Sequence, residues 1–258
     1  MTQAPDLPYP HLAEREDIAL FLDIDGTLIE HKAHPEDAVA DDALRTILSR
    51  ASARLGGAVA FVTGRSIKMV DEAFAPLRLP IAGLYGLEHR LTADGAAVQA
   101  AEPADLAAVA DALAREFHTT QGIYFERKGP VLAVHTRAAP LAFPAVKAAA
   151  KKALATLPEG YRIVAGHAGL EFLPVDALKS AAIERFMQSP PFAGRLPVFL
   201  GDDVADEAGF DYVNAVGGMS VRVRPRGVTS ADYALKDVTA VLEWIAGEIV
   251  SARIPAGA

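Results

Sequence analysis

Short apolar runs alternate with Ala-rich helical patterns along most of this 258-residue chain: IALFLD, DDALRTILSRASARL, AVAFVTG, SIKMVDEAFAPL and IAGLYG follow one another from Asp17. Such alternation predicts strand-helix-strand units. The near-continuous apolarity of the runs predicts a parallel sheet covered by helices on both faces. Before Asp17, three prolines, Pro5, Pro8 and Pro10, give an irregular lead-in, so structure is expected to begin there.

The pattern changes after Gly86. EHRLTADGAAVQ reads as a hairpin turning at Asp94-Gly95, and ADLAAVADALAREF as a helix. The strands GIYFERK and VLAVHTR, the helix FPAVKAAAKKALATL, and the strands YRIVAG and GLEFLPV come next. A helix followed by two strands, repeated, is the composition of a small antiparallel sheet with two helices on one face. The alternation then resumes through KSAAIERFMQ, LPVFLGDD, DEAGFDYVNAV, SVRVR and VTAVLEWIAGEIV. The fold class is therefore α/β: a Rossmann-like parallel-sheet core with an inserted α+β cap. The core is expected over residues 1–103 and 175–258 and the cap over residues 104–174.

In a parallel sheet, function gathers at the carboxyl ends of the strands. Asp23 and Asp25 close the first run, Thr63-Gly64-Arg65 the second, and Gly201-Asp202-Asp203 a late one, with Asp206 and Glu207 just beyond. Lys179 opens a helix. Taken singly, each has an ordinary alternative: an Asp-Gly turn, a strand-to-helix loop, a helix cap, a solvated lysine. Taken in order on strand ends, they form the parts of a phosphoryl-transfer site.

Two carboxylates about 5 Å apart repel by roughly 3 kcal/mol at an effective dielectric near 20, so Asp23 and Asp25 call for a cation. With no cysteine in the chain, metal ligands are restricted to oxygen or imidazole, and hard oxygens suit Mg2+. The expected metal set is Asp23 and Asp202 with Asp203 or Asp206, and Asp25 is counted with them. Asp23 is then the nucleophile that forms an aspartyl phosphate, and Asp25 the acid for the leaving alcohol and later the base for water. Thr63 and Lys179 complete the catalytic group, and Gly64 and Arg65 are expected against the substrate phosphate.

DIDGTL, TGR, Lys179 and GDDVADEAGF together resemble, in order, the four motifs of the haloacid dehalogenase superfamily of phosphatases. GDDVADEAGFDYVNAVGGMSV is similar to the bacterial trehalose-6-phosphate phosphatases in particular, and the resemblance runs from about Asp17 to about Ile245. It implies Mg2+-dependent hydrolysis of trehalose 6-phosphate to trehalose and phosphate, the last step of trehalose biosynthesis, with a cap that recognises the sugar. Glu126 and Lys128, then His135 and Arg137, match that family's cap, and Glu88 matches a further tract. Glu126, Lys128, Glu171, His135 and Glu88 are the expected substrate contacts, since a disaccharide is read through its hydroxyls. For the strand residues the alternative is a solvated sheet face, and for His135 a packed or hinge-facing ring. Three positions depart from the family pattern: Ser180 stands where glycine is usual, Leu173 where a basic residue is common, and Thr63 where serine is frequent.

A net charge of -8 argues against nonspecific contact with nucleic acid or anionic lipid. No secretory pattern or membrane-length apolar run occurs, so a cytoplasmic monomer acting on a small sugar phosphate is expected. Other readings are a phosphatase for another sugar or polyol phosphate, a phosphotransferase, or a noncatalytic sugar-phosphate sensor; the last would be expected to lose the nucleophile or metal carboxylates, which this chain keeps.

Overall fold

The computed structural model describes residues 6–12, 15–32, 35–99, 106–157, 159–166 and 169–251. Two compact units emerge: one from residues up to Val98, Lys179–Asp202 and Asp206 onward, the other from Gln99–Leu178 with Asp203–Ala205. The boundary expected between residues 103 and 104 lies outside the described residues.

The first unit is organised by a sheet of eight strands. These are β1 (Ile18–Leu22), β2 (Val59–Val62), β3 (Ile81–Gly83), β4 (Glu88–Arg90), β5 (Val98–Gln99), β10 (Leu196–Gly201), β11 (Met219–Val223) and β12 (Tyr233–Leu235). Their order across the sheet is β12-β11-β10-β1-β2-β3-β4-β5. Pairing is parallel from β12 through β3, and β4 returns antiparallel to β3. Every residue of β1 and β2 is buried, which explains why these runs show no polar alternation. The helices are α1 (Asp42–Arg54), α2 (Ile67–Phe74), α5 (Lys179–Met187), α6 (Glu207–Ala215) and α7 (Val238–Trp244), the last continued by a π-helical turn over Ile245–Val250. Asp41, Ser66 and Asp237 cap α1, α2 and α7 by accepting backbone N–H groups. Phe21, Phe186 and Phe192 pack together in the core.

The lead-in is irregular, as expected, and the first element is β1, but residues 8–12 are docked: Pro8 O accepts the N–H of Ala234 on β12, Pro10 O accepts the indole N–H of Trp244, and Leu12 is buried with its N–H on Glu248. Proline carbonyls remain acceptors although proline nitrogens donate nothing, so a proline-rich segment can still dock on a sheet edge.

The second unit has four strands, β6 (Tyr124–Lys128), β7 (Val131–His135), β8 (Tyr161–Gly166) and β9 (Gly169–Pro174), arranged in the order β6-β7-β9-β8 and all antiparallel. Leu132, Val134, Leu170 and Phe172 point to one face and share a core with Val109, Leu113 and Val146 of α3 (Ala107–Glu116) and α4 (Phe143–Leu154). Alternation sends Glu126, Lys128, Ala133 and Glu171 to the other face. The α/β core and the separate antiparallel sheet with two helices agree with the fold class read from the sequence.

Candidate active site

β1 lies between β10 and β2, where the strand order reverses direction, and its carboxyl end is therefore a topological switch point. Asp23 continues β1, its N–H still bonded to Leu200 O, and it is almost wholly buried. The chain then turns tightly: the N–H groups of Leu28 and Ile29 return to Ile24 O, and Gly26 N–H reaches Ile29 O at 2.7 Å. Gly26 has φ +85°, which glycine adopts without strain. Thr27 donates its hydroxyl to Asp23 Oδ2 at 3.3 Å.

Lys179 is the first residue of α5 and lies on the same stripe as Ala182, Ile183 and Phe186, all buried. This stripe carries the lysine inward instead of into solvent. Its ammonium donates to Asp23 Oδ1 and to Asp206 Oδ1, both at 2.6 Å, and lies 5.9 Å from the ring centre of Tyr85. Asp206 accepts the N–H of Asp202 through its other oxygen at 2.9 Å. A Cβ on Gly201 would strike the Asp206 carboxylate, so that glycine admits the close approach.

Carboxylate oxygens of Asp23, Asp202 and Asp206 lie within 4.8 Å of one another. Lys179 bonds two of these three carboxylates. The titration of the site reflects this. Burial, then Asp206 and Asp202, push Asp23 up to about 8 even though Lys179 pulls the other way. Burial opposes the charge on Lys179, but Asp206 and Asp23 outweigh it and raise its pKa.

Side-chain cations reach both members of the Asp23-Asp25 pair. Asp23 has Lys179, and Asp25 has Arg65, which donates from Nε and Nη2 at 2.7 Å each. A second grouping of carboxylates joins Asp23 to Asp202 and Asp206. Asp25 and Asp203, expected as metal ligands, are not in that cluster: the Asp25 carboxylate is gripped by Arg65, and Asp203 Oδ1 accepts the N–H of Val204.

Thr63 stands at the end of β2, its hydroxyl accepting the N–H of Arg65 at 3.1 Å. Gly64 has no room for a side chain because a Cβ would lie 2.5 Å from the Tyr85 hydroxyl. Arg65, expected on substrate, directs its guanidinium to Asp25 and to Ala38 O. Glu88, also expected on substrate, accepts the N–H of Ile67 at the first turn of α2, and burial raises its pKa against that hydrogen bond. In the second unit, Glu126 and Glu171 flank Ala133 in register. Lys128 donates to Glu171 at 2.9 Å and lies 3.8 Å from Glu126, and His135 pairs with Glu126 at 2.9 Å. Tyr124 stacks on His135.

The sequence matches the family model described as trehalose-phosphatase over residues 21–239. The chain belongs to the trehalose-phosphatase family. It is 40% identical over 207 residues to the probable trehalose-phosphate phosphatase of Sinorhizobium fredii, covering 80% of this chain and 78% of that one. It is 35% identical over 253 residues to the trehalose-6-phosphate phosphatase of Escherichia coli, covering 95% and 89%. The C-terminal domain of Candida albicans trehalose-6-phosphate phosphatase shares the fold, with TM-score 0.78 at 21% identity over 94% of this chain and 98% of that domain.

Within this trehalose-phosphatase chain, reading the sequence missed two residues near the reactive carboxylates, His31 and Tyr85. His31 Nε2 lies 3.1 Å from Asp202 Oδ2. Its distance of 171 positions from Asp202 hides the pairing from any local pattern. Tyr85 has φ +60°, a conformation that nothing in the run IAGLYG announces. Among the described residues no helix is long and apolar enough to cross a membrane.

Proposed function

We propose that this chain hydrolyses trehalose 6-phosphate to trehalose and phosphate, with Asp23 as the nucleophile and Mg2+ as cofactor. The observation that carries this reading is Lys179 bridging Asp23 and Asp206, with Asp202 closing a largely buried, all-oxygen cluster.

The donor set fits a hard dication. Its members are carboxylate oxygens, mutually within 4.8 Å, and burial, then the neighbouring Asp206 and Asp202, disfavour ionising Asp23 unless a cation arrives. Asp23, Asp202 and Asp206 would hold it. A magnesium ion there would supply positive charge against the carboxylates and the phosphoryl oxygens.

An oxygen of Asp23 attacks phosphorus, and the bond from phosphorus to the C6 oxygen of the sugar breaks. Asp25 gives its proton to that departing oxygen, which leaves as the trehalose hydroxyl. Water then attacks the aspartyl phosphate, Asp25 takes a proton from it, and phosphate departs with the Asp23 carboxylate restored. Lys179 neutralises charge building on the phosphoryl oxygens, helped by the Thr63 hydroxyl and the Gly64 N–H. Arg65 orients Asp25. We assign Glu126, Lys128, Glu171 and His135 of the second unit, a cap domain in this reading, to the sugar hydroxyls; Lys128 donates, the carboxylates accept, and their mutual bonds fix their directions. The aspartyl-phosphate site at Asp23 then serves any substrate the cap admits.

Phosphate release should be compared on trehalose 6-phosphate, glucose 6-phosphate and sucrose 6-phosphate, with and without chelator. Fast release from the first alone, abolished by chelation, is expected. Equal rates on all three would defeat the substrate assignment, and chelator-resistant turnover would defeat the metal assignment.

A further inference from the structure

We propose that His31 is a positioning residue that holds the Asp202 carboxylate ready for the metal, an inference resting on the metal reading above. His31 Nε2 lies 3.1 Å from Asp202 Oδ2, and because an ionised carboxylate only accepts, the imidazole donates its Nε2 hydrogen. The two groups converge over Gly26. A Cβ built there would lie 2.6 Å from His31 Nε2 and closer still to the Asp202 carboxylate, so the bare glycine leaves the space in which they meet.

The loop that carries His31 is itself fixed. Its base is the tight turn from Ile24 to Ile29, and Glu30 binds Arg224, just past β11, through both carboxylate oxygens at 2.7 and 2.9 Å. His31 is thus presented from a loop anchored to a strand end on the same side of β1 as Asp202.

A ligand role for His31 is not what the geometry favours. The atoms mutually within 4.8 Å belong to Asp23, Asp202 and Asp206, and His31 is not one of that group. Nor is a packing role sufficient, because the His31 side chain keeps 26% of its surface in water. What the contact does is restrain Asp202. With Oδ2 held, the carboxylate no longer swings freely, and less ordering is needed when a cation binds. Asp206 has such a restraint in Lys179 and the Asp202 N–H, and Asp23 in Lys179 and Thr27. His31 completes the set by supplying one for Asp202.

The test is calorimetric titration of the full chain with magnesium chloride alone, no substrate present, comparing the wild type with His31→Gln and His31→Met. The two replacements are close in size, and only glutamine offers an N–H. Circular dichroism and melting temperature in chelator confirm folding of each variant first. His31→Met should lose roughly 10- to 100-fold in Mg2+ affinity, and His31→Gln should recover most of it. Turnover of His31→Met at saturating Mg2+ should approach that of the wild type. Wild-type affinity in His31→Met overturns the proposal, as does equal weakening in both variants, which would mean that the donated hydrogen bond is not the cause. Absence of any Mg2+ binding by the wild type overturns the metal reading itself and this inference with it, an outcome distinct from the other two.

Discussion

Arg65 grips Asp25 with two parallel hydrogen bonds of 2.7 Å, Nε to Oδ2 and Nη2 to Oδ1, while its Nη1 reaches Ala38 O at 3.0 Å. The guanidinium is buried and the carboxylate is about a third exposed, so the proposed acid is pointed by a rigid fork. Lysine keeps the charge but cannot reproduce the fork. Arg65→Lys should therefore lower kcat on trehalose 6-phosphate by roughly tenfold or more. The loss on p-nitrophenyl phosphate should be smaller, because that leaving group departs without a proton. Equal losses on both substrates, measured by steady-state kinetics, would mean that Arg65 acts on the phosphate or on the fold instead.

Asp23→Asn removes the nucleophile and one member of a cluster with too many carboxylates. Lys179 retains Asp206, so the ammonium is not stranded. Turnover should fall to background while, at about pH 8 and above, the metal-free variant melts no lower than the metal-free wild type, because there the wild type buries an ionised Asp23. Mg2+ should stabilise the variant far less than the wild type. Near-normal turnover by a folded Asp23→Asn variant would remove Asp23 from the chemistry.

The pH dependence follows from the same carboxyl. Asp23 titrates near 8 in the folded protein against an ordinary value of 3.8, so between these values the folded chain binds more protons than the unfolded one. Its contribution to stability is present below about pH 4 and is lost as pH rises through about 8. Lys179, shifted upward, keeps its proton across this window. In chelator, the melting temperature of the wild type relative to Asp23→Asn should fall from about pH 5 to about pH 8. Added Mg2+ should restore more at the upper end, since metal binding must displace a proton. A difference that stays flat with pH would contradict the assignment.

How much of this was legible in the sequence depended on distance along the chain. The strand ends were legible because buried parallel strands are uniformly apolar, so the polar residue ending each run marks the edge where loops gather. Asp23 and Asp202 were found that way. The inward direction of Lys179 was also written in its helix, in Ala182, Ile183 and Phe186 at helical spacing, although a lysine opening a helix usually faces water. The partners of each carboxylate were not legible. Arg65 is 40 residues from Asp25 and His31 is 171 from Asp202, and only the sheet order brings them together. That is why Arg65 was not anticipated as the side-chain cation of Asp25 beside the expected metal. Glu88 shows the same limit: a carboxylate in a matching tract gave no sign that a helix N–H would claim one of its oxygens.

Ala133 of β7 sits in register between Glu126 on β6 and Glu171 on β9, and Lys128 crosses β7 to reach Glu171 at 2.9 Å. A crossing of this kind needs a small residue in the middle strand at that level, and the methyl group of alanine leaves the room. Leucine would fill it, pushing Lys128 away from Glu171 on a face remote from the Leu132, Val134 and Phe172 core. Because the change adds volume on that outer face, it should cost at most about 1 to 3 kcal/mol of stability. If the charged face reads sugar hydroxyls, Ala133→Leu and Lys128→Ala should both raise KM for trehalose 6-phosphate by roughly tenfold or more, as expected when polar partners go unmatched. Both should leave turnover of p-nitrophenyl phosphate within about threefold of wild type, since a substrate with no sugar ring has no sugar hydroxyls to present. Parallel losses on the two substrates would mean that the charged row holds the sheet together and does not select the substrate.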